Sequence, residues 1–114
     1  GIAVFIAFKM LGNIGTNKIS HKKAKEMMNG DAIILDVRET YEFSSGHIKK
    51  AVNLPLDKVH KGISKITSDK EKILLVYCQS GSRSGSAART LHSMGYKNAY
   101  NMGGISTWKY GVVR

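Results

Sequence analysis

Ile73-Leu74-Leu75-Val76-Tyr77 is an unbroken apolar run that hands over directly to Cys78-Gln79-Ser80-Gly81-Ser82-Arg83. A short continuous apolar run fits a strand buried on both faces, as in a parallel sheet. Downstream, Ala87, Ala88, Leu91 and Met94 recur at helical spacing, and Gly95 stops the pattern. This strand–loop–helix unit constrains the whole chain, because a strand covered on both sides needs helices on both sides. The remaining pattern agrees. A helix is predicted over Ile19–Met28, with Ser20 as N-cap and Asn29-Gly30 as its stop. Ala32–Leu35 and Ala51–Asn53 read as strands, with a helical turn over Thr40–Ser44 between them. Leu56, Val59, Ile63 and Ile66 share one helical face. Asn98–Asn101 reads as the last strand, and Gly103-Gly104 as the opening of a final helix through Trp108, a core residue. Strands alternating with helices predict an α/β fold: a small parallel β-sheet flanked by helices on both faces. In such sheets ligands bind at the carboxyl ends of the strands, where Cys78 falls.

Cys78 is the only cysteine among 114 residues. A lone cysteine is ordinarily a small buried hydrophobe, but glycine and serines closed by an arginine make poor core and a good anion nest. Successive backbone N–H groups and a helix N-terminus lower the pKa of a thiol placed among them, and the thiolate is its reactive form. One cysteine excludes an internal disulfide and a multi-cysteine metal centre, and a working thiolate fits a reducing compartment. His21, His47, His60 and His92 have no metal-ligand spacing, so no metal site is expected.

The net charge is +10, and no Asp or Glu follows Glu71. The half carrying Cys78 is therefore wholly cationic, which favours a thiolate and attracts small anions. The lysines are scattered and lack an aromatic stacking platform, so nucleic acid is not the expected partner. Residues 1–17 differ in character. Ile2–Phe8 is almost purely apolar, Met10-Leu11 extend it past Lys9, and Gly12–Asn17 reads as a linker. The stretch is shorter than the roughly 20 apolar residues of a spanning helix. It reads as the end of a signal-anchor or as a short helix packed on the domain. The chain begins with Gly1, which fits a fragment or processed form. The flanking Lys9, Lys18, Lys22, Lys23 and Lys25 then place residues 18–114 in the cytoplasm, free or tethered to the membrane.

Three separated motifs, in order, resemble the rhodanese-like family over residues 18–114. The first is Asp36-Val37-Arg38-Glu39 with Tyr41-Glu42-Phe43, Gly46-His47-Ile48 and Ala51-Val52-Asn53-Leu54-Pro55. The second is the Cys78–Arg83 loop, and the third is Gly103-Gly104-Ile105 with Trp108 and Gly111. Val112 departs from the pattern, since many members carry proline there. The resemblance implies a single-domain sulfurtransferase that needs no cofactor. Cys78 would take a sulfur from a small anionic donor such as thiosulfate, and cyanide, a thiol or a protein cysteine would then remove it. Cys78 and Arg83 would be the catalytic pair. Gln79, Ser80, Gly81, Ser82 and Ser84 would cradle the transferred sulfur. Arg83 has two open roles, contact with the incoming anion or pinning of the loop to a carbonyl. Asp36 and Arg38 are expected to brace the neighbouring strand end through a salt bridge. His47 is expected to be structural.

Two other functions start from the same loop. A cysteine phosphatase or arsenate reductase uses a loop one residue longer, to fit a tetrahedral oxyanion; here four residues separate Cys78 from Arg83. A non-enzymatic binding module of the same fold typically lacks the cysteine. A thioredoxin-type redox role would require a second cysteine.

Overall fold

The computed structural model describes residues 17–114. The apolar N-terminal segment, whether anchor or packed helix, lies outside the described residues. Among those described, no helix is long and apolar enough to cross a membrane. Asn17 proves to belong with the folded domain, since its carbonyl accepts a 2.8 Å hydrogen bond from the Asn101 amide.

The described residues form ten short elements. Helix α1 (His21–Met27) starts at Ser20, whose hydroxyl accepts from the Lys23 amide at 3.0 Å, as the sequence predicts. Strand β1 (Ile33–Asp36) leads to α2 (Thr40–Ser45) and the two-residue β2 (Val52–Asn53). A 3-10 turn (Leu56–Lys58) runs into α3 (Val59–Ile66). Then come β3 (Leu74–Cys78), α4 (Ser82–Ser93), β4 (Ala99–Gly104) and a closing 3-10 turn (Ile105–Thr107).

The four strands form one parallel sheet in the order β2-β1-β3-β4. Its side chains alternate between two apolar clusters. Leu35, Val37, Leu74, Val76 and Cys78 face Val59 and Ile63 of α3 and Ala87 and Leu91 of α4. Ile34, Leu75, Tyr77 and Met102 face the other way, onto Ala24 of α1 and Ile48. Both faces are covered, which explains why β3 is apolar at every position and fully buried. From β1 the chain moves outward to β2, then returns past β1 to β3 and β4. The direction of winding reverses between β1 and β3, and the crevice at their carboxyl ends is where such sheets bind ligands.

Three expectations need correction. Gly103-Gly104 end β4 rather than open a helix, and only a 3-10 turn follows. The register explains the extra strand length: Val76 pairs with Asn101 but Tyr77 pairs with Gly103, so β4 carries a bulge at Met102. Trp108 is half-buried rather than core. It packs edge-on to His21 and Tyr110 at the rim of the second cluster, and its indole N–H donates to the Gly111 carbonyl at 3.0 Å. Helix α4 begins at Ser82, inside the stretch read as the Cys78–Arg83 loop, with Gly81 as its left-handed N-cap at φ 105°.

Candidate active site

Cys78 ends β3 with its side chain turned toward α4 and only 1% of the residue exposed. The chain then turns sharply. Gly81 takes a positive φ that side-chain-bearing residues rarely adopt, and its amide swings back to donate to Cys78 Sγ at 3.0 Å. The first turn of α4 follows at once, so the amides without intrahelical partners gather around the sulfur. Burial pushes the Cys78 thiol up. The Ser84 hydroxyl and the amides of Ser84, Gly81 and Ser80 outweigh it, and the net shift is downward. Of the two influences the sequence suggests, converging backbone N–H groups and a cationic half, the directed donors are the ones that lower the thiol here.

Ser84 is completely buried, with its Oγ 3.4 Å from Cys78 Sγ. The hydroxyl has one proton and several acceptors: Asn101 Oδ1 at 2.7 Å, the Gly81 carbonyl at 3.1 Å and the sulfur. The Asn101 amide is oriented by the Gly103 N–H, which donates to the same Oδ1 at 2.9 Å. Its Nδ2 then donates to the Gly81 carbonyl at 3.2 Å. With the sulfur protonated, the short bond to Asn101 holds the Ser84 proton. With the sulfur ionised, rotation of the hydroxyl supplies a further donor. Asn101 escaped the sequence reading, although a polar residue at an inward position of an apolar strand is a usable signal.

Gly104 completes the floor. A Cβ there would land on the carbonyl oxygen of Gln79 and 2.7 Å from Ser80 Cα. Only glycine lets β4 pass this close beneath the loop, and this accounts for the third motif. The Gln79 carbonyl also accepts from the Ser106 amide at 3.2 Å. Gln79, Ser80 and Ser82 are exposed around the mouth, while Gly81 and Arg83 are half-buried.

Arg83 does not pin a carbonyl. Its guanidinium makes two bonds to the Glu42 carboxylate, Nη1 to Oε1 at 2.7 Å and Nη2 to Oε2 at 3.0 Å. Glu42 Oε1 also accepts from the Glu39 amide at 3.0 Å in a capping box, so one carboxylate ties the start of α2 to the loop. The Arg83 bond, opposed by burial and helped by the Glu39 amide, holds the Glu42 carboxyl at about 2. The same contact pushes Arg83 further up. Glu42 was quoted in the first motif without a role. It lies 41 residues from its partner, and no local pattern joins the two.

Asp36 and Arg38 form the expected salt bridge at the end of β1, with Arg38 Nη2 2.7 Å from Asp36 Oδ2 and both side chains buried. Asp36 Oδ1 also accepts from the Arg38 amide at 2.9 Å, and Arg38 Nη2 donates to the Gly46 carbonyl at 2.7 Å. Burial opposes the Arg38 charge, but the Asp36 carboxylate more than offsets it and raises the pKa. Asn53 Nδ2 bonds both the Asp36 and Arg38 carbonyls and fastens β2 to the same corner. His47 stacks on Phe43 at 3.7 Å, with Nδ1 2.9 Å from the Phe43 carbonyl. Among the described residues no cluster of His, Cys, Asp or Glu is arranged to hold a metal.

The rhodanese-like domain family matches residues 20–110. The thiosulfate sulfurtransferase GlpE of Coxiella burnetii is 39% identical over 94 residues, covering 81% of this chain and 86% of that protein. The thiosulfate sulfurtransferase PspE of Escherichia coli is 37% identical over 71 residues, covering 62% of this chain and 68% of that one. In three dimensions, a rhodanese-related protein of Thermoplasma volcanium superposes with a TM-score of 0.75 at 30% identity, covering 85% of this chain and 97% of that one. The fold, the strand-end cysteine loop and these relatives define a rhodanese-type sulfurtransferase. The chain belongs to the rhodanese-like family.

Proposed function

We propose that the domain transfers a sulfane sulfur through a persulfide on Cys78, with thiosulfate or a related anion as donor. The observation that carries this reading is the 3.0 Å bond from the Gly81 amide to Cys78 Sγ, within a loop whose neighbouring amides also favour the anion. The thiolate attacks the outer sulfur of thiosulfate. A new S–S bond forms, the old one breaks with its electron pair, and sulfite leaves. The charge moves to the outer sulfur of the persulfide, which extends about 2 Å beyond Sγ. That reach matters, because Sγ itself is buried and a protein thiol cannot dock against it. At the mouth the outer sulfur meets the exposed Gln79, Ser80 and Ser82, whose backbone and hydroxyl donors hold a soft anion without proton transfer. An acceptor (cyanide, a thiol or a protein cysteine) attacks that sulfur and returns Cys78 to the thiolate.

In this reading Arg83 acts mainly through Glu42. The guanidinium fixes the loop at the start of α4, and its charge is largely answered by the carboxylate. This supports sulfur transfer over phosphate or arsenate chemistry, where an arginine must face the oxyanion. A thiolate enzyme with one cysteine works best under reducing conditions, and we place the domain in the cytoplasm. Initial rates with thiosulfate and cyanide varied together should give parallel double-reciprocal lines, the fingerprint of a covalent intermediate. Intersecting lines would require both substrates bound at once and would exclude the persulfide route.

A further inference from the structure

Behind the active loop, on the β4 side of α4, lies a cavity of about 250 Å³ with no assigned role. Ser82, Gly85, Arg89 and His92 of α4 form one wall, and Asn17 and Lys18 close it from the other side. From this cavity we infer a binding site for a small divalent oxyanion of the sulfate, sulfite or phosphate class, adjoining the sulfur cradle at Gly81 and Ser82 but centred on Lys18 and Arg89.

Charge is the first argument. No carboxylate lines the cavity, while Lys18 and Arg89 both do. Among the described residues neither forms an ion pair. Residues 1–16 contain no Asp or Glu, so that segment brings no carboxylate either. With no carboxylate in its lining to answer these two cations, the cavity is electrostatically suited to an anion.

Shape is the second argument. Gly85 sits inside α4, where glycine is a poor helix former. A Cβ at that position would come within 3.3 Å of Asn101 Nδ2 and 3.7 Å of Arg89 Nη1. The missing side chain therefore keeps the floor open and lets the guanidinium fold over it. The only side-chain bond described for Arg89 is a long one, 3.3 Å from Nη2 to Ser86 Oγ, so most of its planar fork is available. A planar fork beside a flexible ammonium suits an oxyanion. The volume falls below the roughly 300–1,000 Å³ of sites for larger organic ligands. It holds a tetrahedral anion with some of its water.

The cavity shares Gly81 and Ser82 with the active loop but contains neither Cys78 nor Ser84, so its cationic side, Lys18 and Arg89, can be tested without the persulfide chemistry. The test is a ¹⁵N NMR titration of the 114-residue chain with sodium sulfate, with ionic strength held constant by sodium chloride. Saturable shifts are expected at the amides of Gly85, Ala88 and His92. The double variant Lys18→Gln/Arg89→Gln, altered only at exposed side chains, should keep its fold and bind sulfate at least about tenfold more weakly. Shifts that rise linearly without saturation would overturn the proposal. So would shifts confined to Gln79–Ser84, or equal affinity in the double variant.

Discussion

The ends of β1 and β3 lie side by side in the sheet, with Asp36 paired to Tyr77, yet they are built on opposite plans. At the end of β1 the polar groups are closed on one another. Arg38 and Asp36 are 4% and 0% exposed as side chains and satisfy each other. The Gly46 carbonyl and Asn53 complete the corner. At the end of β3 the donors are left open. Gly81, Ser80 and Ser84 aim at a sulfur, and the ion pair that steadies them, Arg83 with Glu42, is 34% and 17% exposed. The same position in a parallel sheet thus serves as a brace on one strand and as a reaction site on the next. What separates them is whether the backbone donors already have a partner.

The comparison breaks most readily at the brace. Asp36→Ala should cost about 3–5 kcal/mol of stability, because it leaves the Arg38 charge buried and unpaired. Urea denaturation measures this, and the fraction still folded should retain its sulfur chemistry. A variant of wild-type stability would show that the corner is not a brace.

At the other strand end, the expected loss is of chemistry. Gly104→Ala pushes the loop off β4 at Gln79 and Ser80. A displacement of about 1 Å at a reacting centre costs roughly a hundredfold in rate, so kcat/KM for thiosulfate should fall by about that factor. The helices and sheet should persist by circular dichroism. A variant with intact turnover would mean that the close approach of β4 does not position the donors.

The smallest effect belongs to Glu42→Gln. The pair is partly exposed, and its loss should cost about 1 kcal/mol at neutral pH. The sign with pH is specific. The folded Glu42 pKa of about 2 lies below that of a free glutamate, so its stabilisation is present above about pH 4 and fades as pH falls toward 2. The variant should therefore lose less stability than the parent across that window. Equal acid sensitivity in the two proteins would show that the Glu42–Arg83 pair contributes nothing to it.

Much of this arrangement is legible in the order of residues. The apolar runs at Ala32–Leu35 and Ile73–Tyr77 announce strands buried on both faces, each one residue longer at its start than the strand that forms, and the alternation of periods announces a parallel sheet. The reactive loop is readable because a cysteine followed by small residues has no other good use at that junction. Boundaries are less so. Ser82 and Arg83 read as loop because a serine-rich stretch has little helix propensity, yet they form the first turn of α4, which supplies the orphan amides. The bulge at Met102 depends on pairing with β3, and no local pattern in β4 encodes it. Arg83 and Glu42 meet only through the fold, so neither open role for the arginine, contact with the anion or a bond to a carbonyl, includes the carboxylate that holds it. The cationic balance of the second half is partly answered by carboxylates from earlier in the chain, Glu42 to Arg83 and Glu71 to Lys97, pairings that the order of residues does not show.

The account rests on sulfur being carried by the open strand end. Intact-mass spectrometry after brief incubation with thiosulfate, followed by peptide mapping, tests it most directly. The protein should gain the mass of one sulfur atom, located on the peptide that contains Cys78. Added cyanide should remove it, and Cys78→Ala should never acquire it. An unchanged mass in the parent protein, or an adduct that survives in Cys78→Ala, would contradict the account.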